Sequence, residues 1–263
     1  MSILQKIAAK TKERISALKQ EIPLDQLKEE AACSRHVPLD FYAPFRGAKA
    51  LNVIAEVKRA SPSKGAIALA LKPREVANAY VAGGAKALSV LTEPDFFKGS
   101  TTFLKEIRAD HPTVPLLMKD FFIDEYQLYQ ARALGADAIL LIMALLGKER
   151  ALALYTLAAE LSLNALIEVH QKEELALALT LNAPMIGINN RDLNTLTTSL
   201  ATTRELLPLV PPGKIIITES GIHTRQDLLD LHQLGCHGFL IGTSLMTGQN
   251  PGAALAALLA AGP

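Results

Sequence analysis

The sequence predicts an α/β fold, a (β/α)8 TIM barrel carrying an N-terminal helical extension, on three observations. Eight short apolar β-type runs recur along the chain at intervals of about 20 to 35 residues, the length of one strand–helix unit. Stretches with helical periodicity fill the intervals. The runs are continuously apolar rather than alternating, as strands covered on both faces are. A doubly wound open sheet is the competitor, but no Gly-x-Gly-x-x-Gly turn follows any of the runs. At 263 residues the chain can bury one large core. The expected division is an extension over 1–45 and a barrel over 46–263, one domain overall.

Taken in order, Ile3, Leu4, Ile7, Ile15, Leu18 and Ile22 recur at helical spacing, with Lys6, Lys10, Lys12, Glu13, Arg14 and Lys19 between them. This predicts an amphipathic helix, followed by a second around Pro23 to Ala32. The basic face reads as solvated surface, with anion attraction as the alternative. Pro38, Pro44 and Gly47 form a link to the main body. The strands are predicted at Leu51–Val57, Ala87–Leu91, Val114–Met118, Ala138–Ile142, Ala165–Val169, Met185–Ile188, Ile215–Thr218 and Gly238–Ile241. Helical patterns fall between them, among them Pro73–Ala82, Glu125–Leu134, Lys148–Leu161, Lys172–Leu179, Leu200–Leu207 and Thr224–Leu234. Gly83-Gly84, Gly135 and Gly235 stand where a helix ends and a strand is about to start.

Composition narrows the function. A net charge of +1 and the absence of Trp give no support to nucleic-acid binding. Cys33 and Cys236 lack the spacing of a disulfide framework or a zinc site. No apolar run reaches the roughly 18 residues of a membrane span. Lys6 and Lys10 interrupt any signal-peptide core. The chain is expected to be cytoplasmic, without nucleic-acid or membrane partners, and a monomer or weak oligomer.

In such a barrel, catalytic groups come from the carboxyl ends of the strands. Strand one ends in Glu56 and Lys58, which share a face because side chains two apart in a strand point the same way. Alone, this is equally well a structural ion pair. The pattern then returns: Lys119 after strand three, Glu168 after strand five, Asn189 and Arg191 after strand six, Glu219 after strand seven. So many polar ends converging on one mouth predict an active site. Ser220-Gly221-Ile222 and Gly242-Thr243-Ser244, after strands seven and eight, have the glycines and hydroxyls of a phosphate site in the place where barrels frequently carry one. Phe97, Phe121 and Phe122 lie beyond strand ends and read equally as loop packing or as a slot for an aromatic ring. His170 shares a face with Glu168 and could be a base. His36, His111, His223, His232 and His237 form no spaced cluster, and for all six packing or surface is the favoured reading. No hydrolase or metalloprotease motif is present.

The runs Ile54-Ala-Glu-Val-Lys-Arg-Ala-Ser-Pro-Ser63, Leu91-Thr-Glu-Pro-Asp-Phe-Phe-Lys-Gly-Ser100, Met118-Lys-Asp-Phe-Phe122, Leu166-Ile-Glu-Val-His170, Ile186-Gly-Ile-Asn-Asn-Arg-Asp-Leu193, Thr218-Glu-Ser-Gly-Ile222 and Phe239-Leu-Ile-Gly-Thr-Ser-Leu-Met246 resemble, in order, those of indole-3-glycerol-phosphate synthases. Glu93 replaces the commoner Asp, and Thr218 the commoner Ser. The resemblance implies decarboxylating, dehydrating ring closure of 1-(2-carboxyphenylamino)-1-deoxyribulose 5-phosphate in tryptophan biosynthesis, without metal or organic cofactor. It implies Lys119 as the acid at the ketone, Glu168 and Lys58 as base and acid of the dehydration, and Glu56 as the partner of Lys58. Asn189 would orient the substrate and Glu219 would hold the lysines. Ser61 and Arg191 would meet the carboxylate end, and Phe97, Phe121 and Leu193 would line the aromatic slot. Ser220 would be a further substrate contact, and Lys58, Gly221, Gly242, Thr243 and Ser244 would take the phosphate. Phosphoribosylanthranilate isomerase is the nearest rival, but its Cys near the end of strand one is here replaced by the Glu56/Lys58 pair. A catalytically silent barrel is the rival of another class, and no rim residue is missing in its favour.

Overall fold

The computed structural model describes residues 2–260 apart from 48, 194 and 249. Eight parallel strands close into a barrel in sequence order: β1 (Val53–Val57), β2 (Ala87–Leu91), β3 (Leu116–Lys119), β4 (Ala138–Ile142), β5 (Asn164–Val169), β6 (Met185–Asn189), β7 (Ile215–Glu219) and β8 (Gly238–Ile241). β8 pairs back onto β1, so no strand edge is left open. Two helices precede the barrel, α1 (Ile3–Glu21) and α2 (Leu24–Ala32). Between and after the strands come α3 (Pro73–Ala82), α4 (Thr101–Asp110), α5 (Glu125–Leu134), α6 (Met143–Glu160), α7 (Lys172–Thr180), α8 (Ala201–Leu206), α9 (Arg225–Gln233), α10 (Thr243–Met246) and α11 (Pro251–Leu259). A small antiparallel hairpin, Ala60–Ser61 with Gly65–Ala66, follows β1.

Local chemistry sets the element ends. Ser2 with Gln5 caps α1, and Asp124 with Gln127 caps α5, each through reciprocal side-chain-to-backbone hydrogen bonds. Gly135 ends α5 in the left-handed conformation, φ 83°. The third strand begins later than its apolar pattern, because Pro115 has no N–H to give to a central ladder. The helix expected from Lys148 is preceded by a turn at Met143, with Gly147 (φ 66°) breaking the helical geometry between them.

Alternation along each strand makes two apolar layers. Ile54, Leu117, Leu140, Leu166, Ile217 and Leu240 fill the barrel. Val53, Ala55, Ile139, Ile167, Ile186 and Phe239 face the helices. The segment through Pro38 and Pro44 is more than the expected link. Phe41 and Phe45 are fully buried and join the interior cluster. A Cβ at Gly238 would stand 2.6 Å from the Phe45 ring, so β8 accepts this plug only as glycine. The interior of an eight-stranded barrel has to be filled by side chains, and these aromatics supply part of the filling.

Helix α1 lies near the carboxyl ends of the strands. Its Ile7 is buried in the same cluster as Phe121. Its basic face divides: Lys6, Lys10 and Lys12 are exposed, as the solvated-surface reading has it, whereas Arg14 donates to Asp120 at 2.7 Å and Lys19 pairs with Asp124 at 2.8 Å. Helical spacing identifies a polar face, but not the acids that tertiary packing brings to it. Among the described residues, no helix is long and apolar enough to cross a membrane.

Candidate active site

A cavity of about 470 Å³ opens at the carboxyl ends of the strands. The strand period carries the charged residues into it. Glu56, Lys119, Glu168, Asn189 and Glu219 each lie two positions after an inward-facing residue, so they form the layer above the apolar filling. Lys58 follows Glu56 on the same face.

These groups form one ion network. Lys119 Nζ is 2.6 Å from Glu219 Oε2, 3.5 Å from Glu56 Oε2 and 3.9 Å from Glu168 Oε2. Lys58 pairs with the other oxygen of Glu56. All three carboxylates are at most 2 % exposed. Burial opposes the charge of Glu56, but Lys58 and Lys119 outweigh it and hold the group below the usual carboxylate range. Burial likewise opposes the ammonium of Lys119, and Glu219, Glu56 and Glu168 together raise it above an ordinary lysine. For Glu168 burial is outweighed by His170 and Lys119, so it is held low. Glu219 is pushed up to about 7 by burial, with Glu168 and Glu56 adding to the effect against the pull of Lys119.

Glycines make room for the carboxylates. A Cβ at Gly187 would stand 2.5 Å from Glu219 Oε1, and one at Gly242 would collide with Glu56. Gly187 belongs to the functional architecture and was missed in the sequence. The only signal was a glycine inside an apolar strand, which marks a close approach.

The rest of the wall divides by chemistry. Phe97 and Phe121 stack at a tilt, ring centroids 5.9 Å apart, and with Leu193 line one side of the cavity. Buried Phe122 packs among the barrel helices instead. The Glu93 carboxylate shapes this side by accepting from the backbone N–H groups of Asp95, Phe96 and Phe97 at 2.8–2.9 Å. Arg191 donates to Ser63 Oγ at 3.1 Å and to the Leu196 carbonyl at 3.2 Å, tying the loop after β6 to the loop after β1. Ser61 does not reach the main cavity. Its Oγ accepts from Lys64 N–H, and it faces a side pocket of about 70 Å³ walled also by Ile3, Leu4 and Ile7 of α1. Ser63 and Lys64 line the main cavity and were missed as site residues, although they stand in the same Ser-Pro-Ser-Lys turn.

Ser220, Gly221, Gly242, Thr243 and Ser244 also line the cavity. Ser220 and Gly221 both have positive φ, 67° and 79°, a succession that turns backbone N–H groups toward one side. Ser244 Oγ donates to the Ile222 carbonyl at 2.8 Å, joining the loops after β7 and β8. The His170 ring packs between Glu168 and Glu174. Among the described residues, no group of three or more His, Cys, Asp or Glu side chains is arranged to hold a metal.

Comparison with known proteins agrees with this arrangement. The family model of indole-3-glycerol phosphate synthase matches residues 4–258. An indole-3-glycerol phosphate synthase of Albidiferax ferrireducens is 44% identical over 261 residues, 98% of each chain. One of Burkholderia ambifaria is 45% identical over 257 residues, 97% of each chain. Among solved structures, the 3-hexulose-6-phosphate synthase of Salmonella typhimurium superposes with a TM-score of 0.64 at 13% identity, covering 80% of this chain and 98% of that one. At that identity the likeness is one of fold alone. The family match and the full-length relatives carry the assignment: this chain belongs to the indole-3-glycerol phosphate synthase family, a family of carboxy-lyases of tryptophan biosynthesis.

Proposed function

We propose that the protein closes the indole ring of 1-(2-carboxyphenylamino)-1-deoxyribulose 5-phosphate, with loss of carbon dioxide and water, by lysine–glutamate acid–base chemistry in the cytoplasm. The observation that carries this reading is Lys119, an ammonium among three buried carboxylates, in a cavity lined by aromatic rings and by glycines and hydroxyls.

The aromatic carbon bearing the carboxylate attacks the ketone carbon, and the carbonyl electron pair moves to oxygen. Lys119 protonates that oxygen. A strongly held proton is no obstacle, because the alkoxide formed as the bond closes is far more basic than an amine. The carboxylate leaves as carbon dioxide, and its bonding pair restores the aromatic ring. The hydroxyl then departs as water with a proton from Lys58, while Glu168 removes a proton from the methylene carbon beside nitrogen. Two protons enter and one leaves, matching the net uptake of one proton when a carboxylate becomes carbon dioxide.

The other assignments follow the walls. Phe97, Phe121 and Leu193 sandwich the aminobenzoate ring. Arg191 and Ser63, with Ser61 in the adjoining side pocket that Arg191 also walls, face its carboxylate. Lys58, the turned backbone at Ser220-Gly221, and Gly242, Thr243 and Ser244 receive the phosphate; the Ser244 hydroxyl proton is engaged by Ile222, so its backbone N–H is the available donor. Asn189 orients the substrate and Glu219 fixes Lys119. Mixing the purified protein with the substrate, without added metal, should give a rise in indole fluorescence. A flat trace from folded protein would remove the proposed chemistry and leave another phosphosugar barrel.

Residues 1–45 act in this reading as a cover on the barrel of residues 46–263, with Ile3, Leu4 and Ile7 walling the side pocket. Deleting residues 1–22, which removes α1 but leaves Phe41 and Phe45 in the barrel, is expected to raise KM at least severalfold, since an apolar wall and an excluded-water boundary are lost. Unchanged steady-state kinetics would make the extension purely structural.

A further inference from the structure

Three buried carboxylates, Glu56, Glu168 and Glu219, share the mouth with two ammonium groups, Lys58 and Lys119. Buried charge of one sign in excess is costly unless a partner is near. The third cation is His170. Its Nε2 lies 3.3 Å from Glu168 Oε1, the oxygen on the other branch of the carboxylate from the one nearest Lys119. Its Nδ1 lies 3.1 Å from Glu174 Oε2, and Glu174 also accepts the His170 backbone N–H at 2.7 Å. Glu174 stands in the first turn of α7, where the helix N-terminus favours a negative charge. The carboxylate of Glu174 is therefore partly compensated from its own helix, and the imidazolium charge remains available to Glu168. Glu168 lines the cavity and His170 does not, so His170 stands behind the carboxylate rather than against substrate.

We propose that His170 is a positioning residue, a largely covered imidazolium clamped by Glu174 that keeps Glu168 aimed at the methylene proton; this rests on Glu168 being the base of the dehydration. Burial works against the imidazolium, but Glu168 and Glu174 outweigh it and push His170 up to about 10, in accord with the geometry. The groups facing it are Glu168 from β5 and Glu174 from α7, and those facing Glu168 are His170, Lys119 and Asn189.

The test is His170→Asn, followed by kcat and KM. A neutral amide in place of the imidazolium removes a cation from beside Glu168. Glu168 is held so low, at about 2, that it stays ionised across the assayable range with or without this cation, so the loss is one of aim and should appear in kcat rather than KM. At neutral pH kcat should fall about tenfold with KM within about twofold. An unchanged kcat overturns the proposal, and so does a KM that rises as much as kcat falls. Glu168→Gln, assayed in parallel, separates the two claims. If it remains near wild type, the base assignment fails and the role of His170 goes with it. If it is inactive while His170→Asn leaves kcat untouched, only the role of His170 fails. Should His170→Asn not fold, His170→Gln, with a longer amide still able to donate toward Glu168, takes its place in the same measurement.

Discussion

Lys119→Ala is expected to lower kcat for indole formation by at least about a hundredfold, the lower range for removing a general acid, with a cooperative melting transition retained. Neither carbon dioxide nor indole should form, because protonation of the ketone oxygen accompanies the first bond. The side chain holds contacts to three buried carboxylates, so its loss also leaves uncompensated charge, and breaking such a cluster costs about 3–5 kcal/mol. The protein has a way to reduce that cost. Glu219 already sits at about 7 with Lys119 beside it, and without the ammonium it rises further and binds a proton. A carboxyl whose folded pKa exceeds its unfolded value stabilises the folded state at low pH, and that stability is lost as pH rises. The variant should therefore melt at a higher temperature at pH 6 than at pH 8, by a wider margin than wild type. Near-normal turnover would remove Lys119 from the mechanism, and a melting profile indifferent to pH would show that the carboxylates are not coupled through it.

Glu168→Gln should abolish indole formation to at least about a hundredfold below wild type while still releasing carbon dioxide, about one equivalent per site. The reason is the order of steps: Glu168 is assigned to the proton lost after decarboxylation, so the chain of events should stall at the hydroxylated ring-closed intermediate. Gln is nearly isosteric and keeps the packing against Asn189. It cannot accept a proton at the methylene carbon. Parallel measurement of carbon dioxide and of indole fluorescence in a single turnover reads this directly. If both products fall together, Glu168 acts at or before ring closure, and the division of labour between Lys119 and Glu168 has to be redrawn.

The sequence determined the barrel and the placing of its charges. Strand faces have a period of two, so an inward apolar residue at Ile54, Leu117, Leu166 or Ile217 fixes Glu56, Lys119, Glu168 and Glu219 on the inside two residues later. That inference needs only one strand at a time, which is why local pattern sufficed. Closure of eight strands then brings all of these ends to one rim. The tertiary structure alone decided which charge meets which. Lys119 lies 100 residues from Glu219 in the chain, yet their side chains are 2.6 Å apart; no periodicity encodes that distance. The same holds for Arg14 on Asp120, for Phe45 against Gly238, and for the space that Gly187 leaves for Glu219. His170 was visible as a residue on the face of Glu168, but its partner Glu174 lies one helical turn into α7, across the strand-to-helix bend. Where a contact depends on the path between two elements rather than on the period within one, only the folded chain supplies it.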